Sequence, residues 1–317
     1  MHVTEHLEKA SGPVVSFEIL PPLKGKSIQL LYDNLDPLME FKPPFINVTY
    51  HRAEYIYRNR GDENFEKVFV RKRPGTVGIC AAIQNRCKVD AVPHLTCGGF
   101  SQEATEDALI DLNYLGIDNV LLIRGDALTS ESRFIADPKG HDYASGLVRQ
   151  VKEMNSGKYL EPDLKNTKST DFCIGVGGYP EKHFEAPNMK TDLKYLKEKV
   201  EAGADYIVTQ MFFNNAKYFA FVEACRDAGI TIPIIPGLKP ITRKSQIATI
   251  PRTFYVDFPD DFAEEVMNAK DDNAVKQIGA EWCTKQSKEL LDYGVPCLHY
   301  YTMSNVSTVL SVVKEVF

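Results

Sequence analysis

The sequence has little of what a nucleic-acid binder, a membrane protein or a disulfide-stapled secreted domain needs. Lys and Arg number 37 against 43 Asp and Glu, a net charge of −6, so there is no basic surplus for a nucleic-acid backbone. No stretch approaches the roughly 18 apolar residues of a membrane helix, and Met1-His2-Val3-Thr4-Glu5-His6 has no apolar leader core. Seven cysteines, an odd number without a CxxC pair, read as free thiols of a reducing cytosol. A P-loop, a G-x-S-x-G elbow and an HExxH pair are all missing. Gly175-Val176-Gly177-Gly178 is no dinucleotide fingerprint, because no helix opens directly after it. Cys80, Cys87, His94 and Cys97 are separated by six, six and two residues, spacings that match no compact zinc module, so no metal is expected.

What is present is an ordinary globular balance, 44% hydrophobic and 25% charged over 317 residues. The organising stretch is Val120-Leu121-Leu122-Ile123-Arg124-Gly125-Asp126. Its aliphatic run reads as a strand buried on both faces, ending on a cation, a turn and a carboxylate. Seven further segments look alike: Val14 to Leu20, Phe45 to Tyr50, Ala91 to Cys97, Phe172 to Tyr179, Asp205 to Phe212, Ile232 to Gly237 and Cys297 to Thr302. Between most of them apolar residues recur at helical spacing and stop at a glycine: Ala108, Leu109, Leu112, Leu115 before Gly116; Leu193, Leu196, Val200 before Gly203; Phe219, Val222, Cys225 before Gly229. Repeated strand–helix–Gly–strand units imply right-handed βαβ connections and a parallel sheet. Eight such strands close into a (β/α)8 TIM barrel in one domain, residues 1–317; a doubly wound open sheet is the alternative. Arg52 to Arg73 is expected to hold a loop and a weak second helix around Glu63 to Val70, and Met154 to Asp171 an exposed loop. About 60 residues precede the eighth strand, room for two or three helices.

Polar residues gather at the strand C-termini: Glu18, Thr49-Tyr50, His94 to Cys97, Arg124-Gly125-Asp126, Tyr179-Pro180 with His183, and Gln210. In a barrel, active sites are built at that end. Glu18 lies inside Val-Val-Ser-Phe-Glu-Ile-Leu, where poor hydration raises a carboxyl pKa toward that of a useful general acid; otherwise it pairs with a barrel cation. On the helix Lys190 to Glu201, Lys194 and Lys197 read as a solvated face, while spacing leaves Asp192 and Lys199 open.

Phe17-Glu18-x-x-Pro21-Pro22, Asn47 to Tyr50, Pro93 to Cys97, Arg124 to Asp126, Tyr143-Ala144, Tyr179-Pro180-Glu181-x-His183, Ala202 to Ala204 with Thr209-Gln210, Pro236-Gly237-x-x-Pro240 and His299 to Thr302 resemble, in order, the 5,10-methylenetetrahydrofolate reductase family in its short prokaryotic catalytic form. The resemblance implies an FAD-dependent barrel that converts methylenetetrahydrofolate to 5-methyltetrahydrofolate with a reduced nicotinamide, NAD(P)H, in ping-pong order. It implies a cytoplasmic homo-oligomer of one-carbon metabolism. Glu18 would be the general acid that opens the imidazolidine ring to the 5-iminium cation, and Asp126 would lie between flavin and pterin. FAD would be held by Thr49, Tyr50, His94, Arg124, Gly125, Asp126, Tyr143, Ala144, Tyr179, His183, Ala186, Asp192 and Lys199; folate would contact Asp126, Gln210 and Gln246.

The chain departs from the family pattern in the folate-tail region. The family follows its last Tyr-Thr-Leu with Asn-Arg, and that Arg meets the glutamate tail; here the chain reads Thr302-Met303-Ser304-Asn305. Lys239, Arg243 or Lys244 would then supply the cation. His51 and Arg52 replace a common Gly-Ala, and Ile250 stands where some members carry an aromatic gate. Rival readings are another flavin barrel of the proline-dehydrogenase type, and a flavin-free barrel that binds folate or transfers its methyl group.

Overall fold

The computed structural model describes residues 1–61, 64–128, 131–303 and 306–317. Its strands are β1 (Val14–Ile19), β2 (Phe45–Val48), β3 (Glu54–Asn59), β4 (Phe65–Val70), β5 (Asp90–Thr96), β6 (Asn119–Ile123), β7 (Cys173–Gly178), β8 (Tyr206–Thr209), β9 (Ile234–Ile235), β10 (Gly237–Leu238) and β11 (Cys297–Met303). Its helices are α1 (Val3–Lys9), α2 (Gln29–Leu35), α3 (Thr76–Cys87), α4 (Gln102–Tyr114), α5 (Ala144–Asn155), α6 (Met189–Glu201), α7 (Asn215–Asp227), α8 (Gln246–Phe254), α9 (Asp260–Asn268), α10 (Asp272–Tyr293) and α11 (Ser307–Val316). Nine strands pair in the order β10-β11-β1-β2-β5-β6-β7-β8-β9, all parallel. The two ends of that order, β9 and β10, are separated only by Pro236, which has no N–H to give a ladder. The Pro236 carbonyl still accepts from His299 N–H at 3.1 Å. The sheet therefore closes on itself as eight staves, the expected barrel rather than an open sheet.

Alternation along the staves sorts the side chains. Outward residues such as Phe17, Ile46, Leu122, Val176 and Ile207 meet the helices in the main core. Inward, Phe45, Val92, Leu121, Cys173, Tyr206, Ile235 and Cys297 fill the N-terminal half of the barrel, with Val3 of α1 packed among them. The next inward positions are Ser16, Glu18, Asn47, Thr49, His94, His299 and Tyr301, so the interior turns polar toward the C-terminal mouth. Gly175 on β7 exists for this packing: a Cβ there would stand 2.4 Å from the Tyr206 ring. The glycines after α4, α6 and α7 all take positive φ, as expected.

The expected helix from Glu63 to Val70 is not there; Glu63 itself lies outside the described residues. Instead β3 and β4 form an antiparallel hairpin with Ile56 opposite Val68. Tyr55, Ile56, Val68, Phe69 and Val70 favour the pleated surface, and strict alternation leaves Tyr55, Tyr57, Phe65 and Phe69 exposed together on one face. The helix after β2 is α3, whose Thr76, Ile79, Cys80 and Ile83 are buried at helical spacing. The stretch 156–171 is largely exposed loop, and three helices, α8 to α10, fill the long excursion before β11. Their own core includes Phe213, Phe262 and Trp282, the last two stacked at 4.5 Å.

Candidate active site

Glu18 stands near the end of β1, opposite Tyr301 on one side and Asn47 on the other. Thr49 donates its hydroxyl to Glu18 Oε1 at 2.8 Å. The other oxygen, Oε2, faces two imidazoles, with His94 Nε2 at 3.6 Å and His299 Nε2 at 3.9 Å. Burial drives the Glu18 carboxyl up, but His94, His299 and the Thr49 hydroxyl oppose it, and the net shift is downward. The expectation of a raised pKa from desolvation alone is therefore overturned by the two imidazoles. Burial also lowers His94, against the pull of Glu18, and Asn47 Nδ2 lies 3.3 Å from its Nε2. Lys239, just past β10, is held down to about 8 by burial while Glu18 pulls it up.

A second group forms where β6 and β7 end. Gly125 takes φ +84 against Thr96, a left-handed turn that exposes Asp126 beside the buried strand. Arg124 pairs with Glu185 and lies 4.8 Å over the Phe134 ring. His183 packs edge-on to Tyr179 at 4.8 Å, and burial and Arg124 hold it down to about 4. Burial raises the Tyr179 hydroxyl, helped by Asp126 and Asp192. Asp192 accepts the His183 N–H at 3.1 Å. Lys199 reaches from α6 to the Gly177 carbonyl at 2.5 Å; burial lowers it to about 8, opposed by Asp192. Ala144 and Ala186 are buried, Tyr143 is 66% exposed, and Tyr143 leaves the start of α5 without a side-chain cap. Tyr50 is wedged between Phe100, at 4.9 Å, and Arg71, whose Nη2 donates to its hydroxyl at 3.3 Å. Lys194 is exposed, and Lys197 reaches Glu201 at 4.0 Å, the solvated face expected of them.

The third group lines a cleft of about 590 Å³ between the β10 and β11 ends and α8, bounded by Lys239, Arg243, Gln246, Ile250, Lys276 and Tyr301 among others. Gln246 spends its oxygen on the loop before it, accepting from Thr242 N–H at 2.7 Å and Arg243 N–H at 2.9 Å. The three cations considered for a ligand tail separate here. Lys239 lines the cleft and also acts on Glu18 by charge, Lys244 donates to the Ala269 carbonyl at 3.1 Å, and Arg243 lines the cleft. Lys276 joins it from α10, a residue that spacing did not single out. Ser304 and Asn305 lie outside the described residues. Gln210 turns its oxygen back to Met211 N–H at 2.9 Å and makes no side-chain bond to the other site residues.

The structure thus joins Glu18, Thr49 and His94 by direct contact, and links Arg124, Tyr179, His183, Asp192 and Lys199 by bonds and charge. Sequence reading missed the roles of Ser16, Asn47 and His299. Period-two alternation from Glu18 and Tyr301 was the signal that places them inside the barrel.

Comparison with known proteins bears on this geometry. A family model described as methylenetetrahydrofolate reductase matches residues 2–316. The chain is 33% identical over 313 residues to methylenetetrahydrofolate reductase 2 of Saccharomyces cerevisiae, covering 96% of this chain and 48% of that protein. It thus spans about half the length of several relatives it matches. It is 32% identical over 305 residues to 5,10-methylenetetrahydrofolate reductase of Escherichia coli K12, covering 95% of this chain and 90% of that one. A Clostridium thermocellum protein solved with two copies of 5-methyl-5,6,7,8-tetrahydrofolic acid superposes with TM-score 0.60 at 12% identity, over 99% of this chain and 97% of that one, a likeness of fold.

Proposed function

From the premise that the chain belongs to the methylenetetrahydrofolate reductase family, we propose that it reduces 5,10-methylenetetrahydrofolate to 5-methyltetrahydrofolate, with bound FAD and NAD(P)H as donor. The observation that carries the reading is Glu18, a largely buried carboxyl fixed by Thr49 at the barrel mouth with three ionisable partners around it. A hydride reduction of this substrate needs a proton delivered at one place inside a water-poor site, and Glu18 is the acid positioned for it.

The residues present fit FAD. Lys199 is a buried ammonium whose hydrogen-bond partner among the described residues is a carbonyl, not a carboxylate, so an anionic ligand completes it. Arg124 offers a planar fork beside it, and α5 opens without a cap, a site for a diphosphate. FAD would be held by Thr49, Tyr50, His94, Arg124, Gly125, Asp126, Tyr143, Ala144, Tyr179, His183, Ala186, Asp192 and Lys199, and would supply hydride transfer. Asp126, exposed at the mouth and felt electrostatically by His51 and Tyr179, would stand between the flavin ring and the pterin. Gln210 would meet the pterin side, and the cleft at Gln246 the rest of the folate, its carboxylates against Arg243 and Lys276. Glu18 gives its proton to the leaving nitrogen of the imidazolidine ring and is left as carboxylate, still bonded by Thr49. The order is ping-pong, nicotinamide and folate using the same face in turn. No helix among the described residues is long and apolar enough to cross a membrane; the cytoplasmic setting and the homo-oligomer are carried over from the family resemblance.

Purified chain supplied with FAD, NADH or NADPH, and methylenetetrahydrofolate tests the reading by chromatographic detection of 5-methyltetrahydrofolate. Formation of that product supports it, and its absence with both donors refutes it.

A further inference from the structure

His299 is fully buried on β11, and its Nε2 has no hydrogen-bond partner among the described residues. An orphaned buried ring nitrogen costs of the order of 1–3 kcal/mol, so its neighbourhood demands an explanation. The other nitrogen, Nδ1, lies 2.8 Å from Ser16 Oγ. Ser16 Oγ in turn lies 3.4 Å from Cys297 Sγ, and Cys297 donates to the Leu298 carbonyl at 3.6 Å. One arrangement satisfies all three contacts at once. With the thiol proton used on a carbonyl, Cys297 sulfur accepts from Ser16, and Ser16 oxygen accepts from His299 Nδ1–H. The Nδ1 proton is thereby committed, and Nε2 is the position that gains or loses one. Nε2 faces Glu18 Oε2 at 3.9 Å, and His299 helps to lower the Glu18 carboxyl.

Resting on the function proposed above, we propose that His299, held by Ser16, is a positioning residue for Glu18, and that one proton is shared between His299 Nε2 and Glu18 Oε2. When the proton is on nitrogen, Glu18 is a carboxylate accepting from Thr49 and His299. When it moves to Oε2, the N–H bond breaks, an O–H bond forms, and neutral His299 keeps its Nδ1–H on Ser16. Glu18 is then loaded as the acid that substrate meets; after giving the proton up it takes the next one at its own solvent-facing edge, since His299 and Ser16 are fully buried. This reconciles a carboxyl whose acidity the imidazoles strengthen with a role that needs it protonated. The other groups facing Glu18 act differently: Thr49 donates its hydroxyl to the other oxygen, Lys239 and His51 are felt through charge, and Tyr301 gives its hydroxyl to the Thr209 carbonyl at 2.6 Å. His94 is the nearest rival, and its Nε2 already has Asn47 Nδ2 beside it.

The test is nitrogen NMR of the full chain labelled at histidine, with the His299 ring assigned from His299→Gln. In the wild type the Nε2 signal should show the proton shared with Glu18, and Glu18→Gln, an isosteric change, should move that signal while Nδ1 keeps its proton. An Nε2 signal unmoved by Glu18→Gln overturns the proposal. Kinetics give a second reading. His299→Gln can still donate to the carboxylate but cannot hold a proton, so the pH profile of the folate step should lose the ionisation that belongs to the pair and keep that of Glu18 alone. Reduction of the protein by NAD(P)H should keep its pH profile. A folded His299→Gln whose folate profile matches the wild type contradicts the relay, whatever the NMR shows of the ring. If no folate turnover exists in any variant, the function proposed above fails, and the NMR result still decides the shared proton.

Discussion

Glu18 concentrates the chemistry in one side chain, and Glu18→Gln separates its proton from its shape. The amide keeps the Thr49 bond and the packing, so nicotinamide oxidation should persist while folate reduction falls roughly 10²–10⁴-fold. Stopped-flow measurement of each half-reaction checks it; equal impairment of both would make Glu18 structural. Asp126 acts by charge. A carboxylate beside a flavin disfavours further negative charge on the reduced ring, so Asp126→Asn should raise the flavin midpoint. The change should shrink in high salt, because Asp126 is exposed. Spectroelectrochemistry reads this, and a lower midpoint would show the carboxylate turned from the ring. In the cleft, Arg243 and Lys276 are the cations proposed for the folate tail. Replacing both by Ala should raise KM for folate and leave flavin reduction intact, the mark of lost uniform binding. An unchanged KM at low salt would leave the tail to solvent.

Among the elements, β7 carries the clearest steric constraint. Gly175→Ala places a Cβ 2.4 Å from Tyr206 Cζ inside a filled barrel, and overpacking of this kind costs about 1–3 kcal/mol. Urea denaturation should show the loss, and Tyr206→Leu in the same chain should recover part of it, since the two share one contact. An additive double variant would argue against the clash. The staves themselves were legible because each combines an aliphatic run with a polar end, and the glycine-ended helices because their spacing is regular. Residues 54–70 misled for a physical reason: a two-stranded hairpin with its aromatic face outward lacks the apolar-in, polar-out contrast that betrays a strand. α3 escaped although Thr76, Ile79, Cys80 and Ile83 had the right spacing, since a helix had already been placed upstream. Glu18 was legible as an acid in a buried strand, but its environment was not, because Ser16, Asn47 and His299 acquire meaning only when β1, β2 and β11 become neighbours. Lys276, proposed for the tail, was hidden likewise, 37 residues from Lys239 in sequence but lining the same cleft.

At the scale of the whole molecule, the free thiols set the alkaline limit. All seven cysteines are unpaired, and burial raises each of them. The folded chain then holds protons that the unfolded chain releases near pH 9. Their contribution is fully present below that pH and is lost as pH rises through the folded values, toward about 12 for Cys97, Cys225, Cys283 and Cys297. Lys199 and Lys239, held down to about 8, act the other way but are outnumbered. Stability under reducing conditions should therefore decline steadily above pH 9, and a flat profile to pH 11 would contradict it. On the proposed reading the barrel brings one acid, one flavin and one folate to a single mouth, and one anaerobic titration tests that claim most directly. Reduced nicotinamide should bleach the flavin band of the purified chain, and methylenetetrahydrofolate added next should restore it with formation of 5-methyltetrahydrofolate. A chain that takes up no FAD, or a bleached flavin that methylenetetrahydrofolate leaves reduced, would contradict the account.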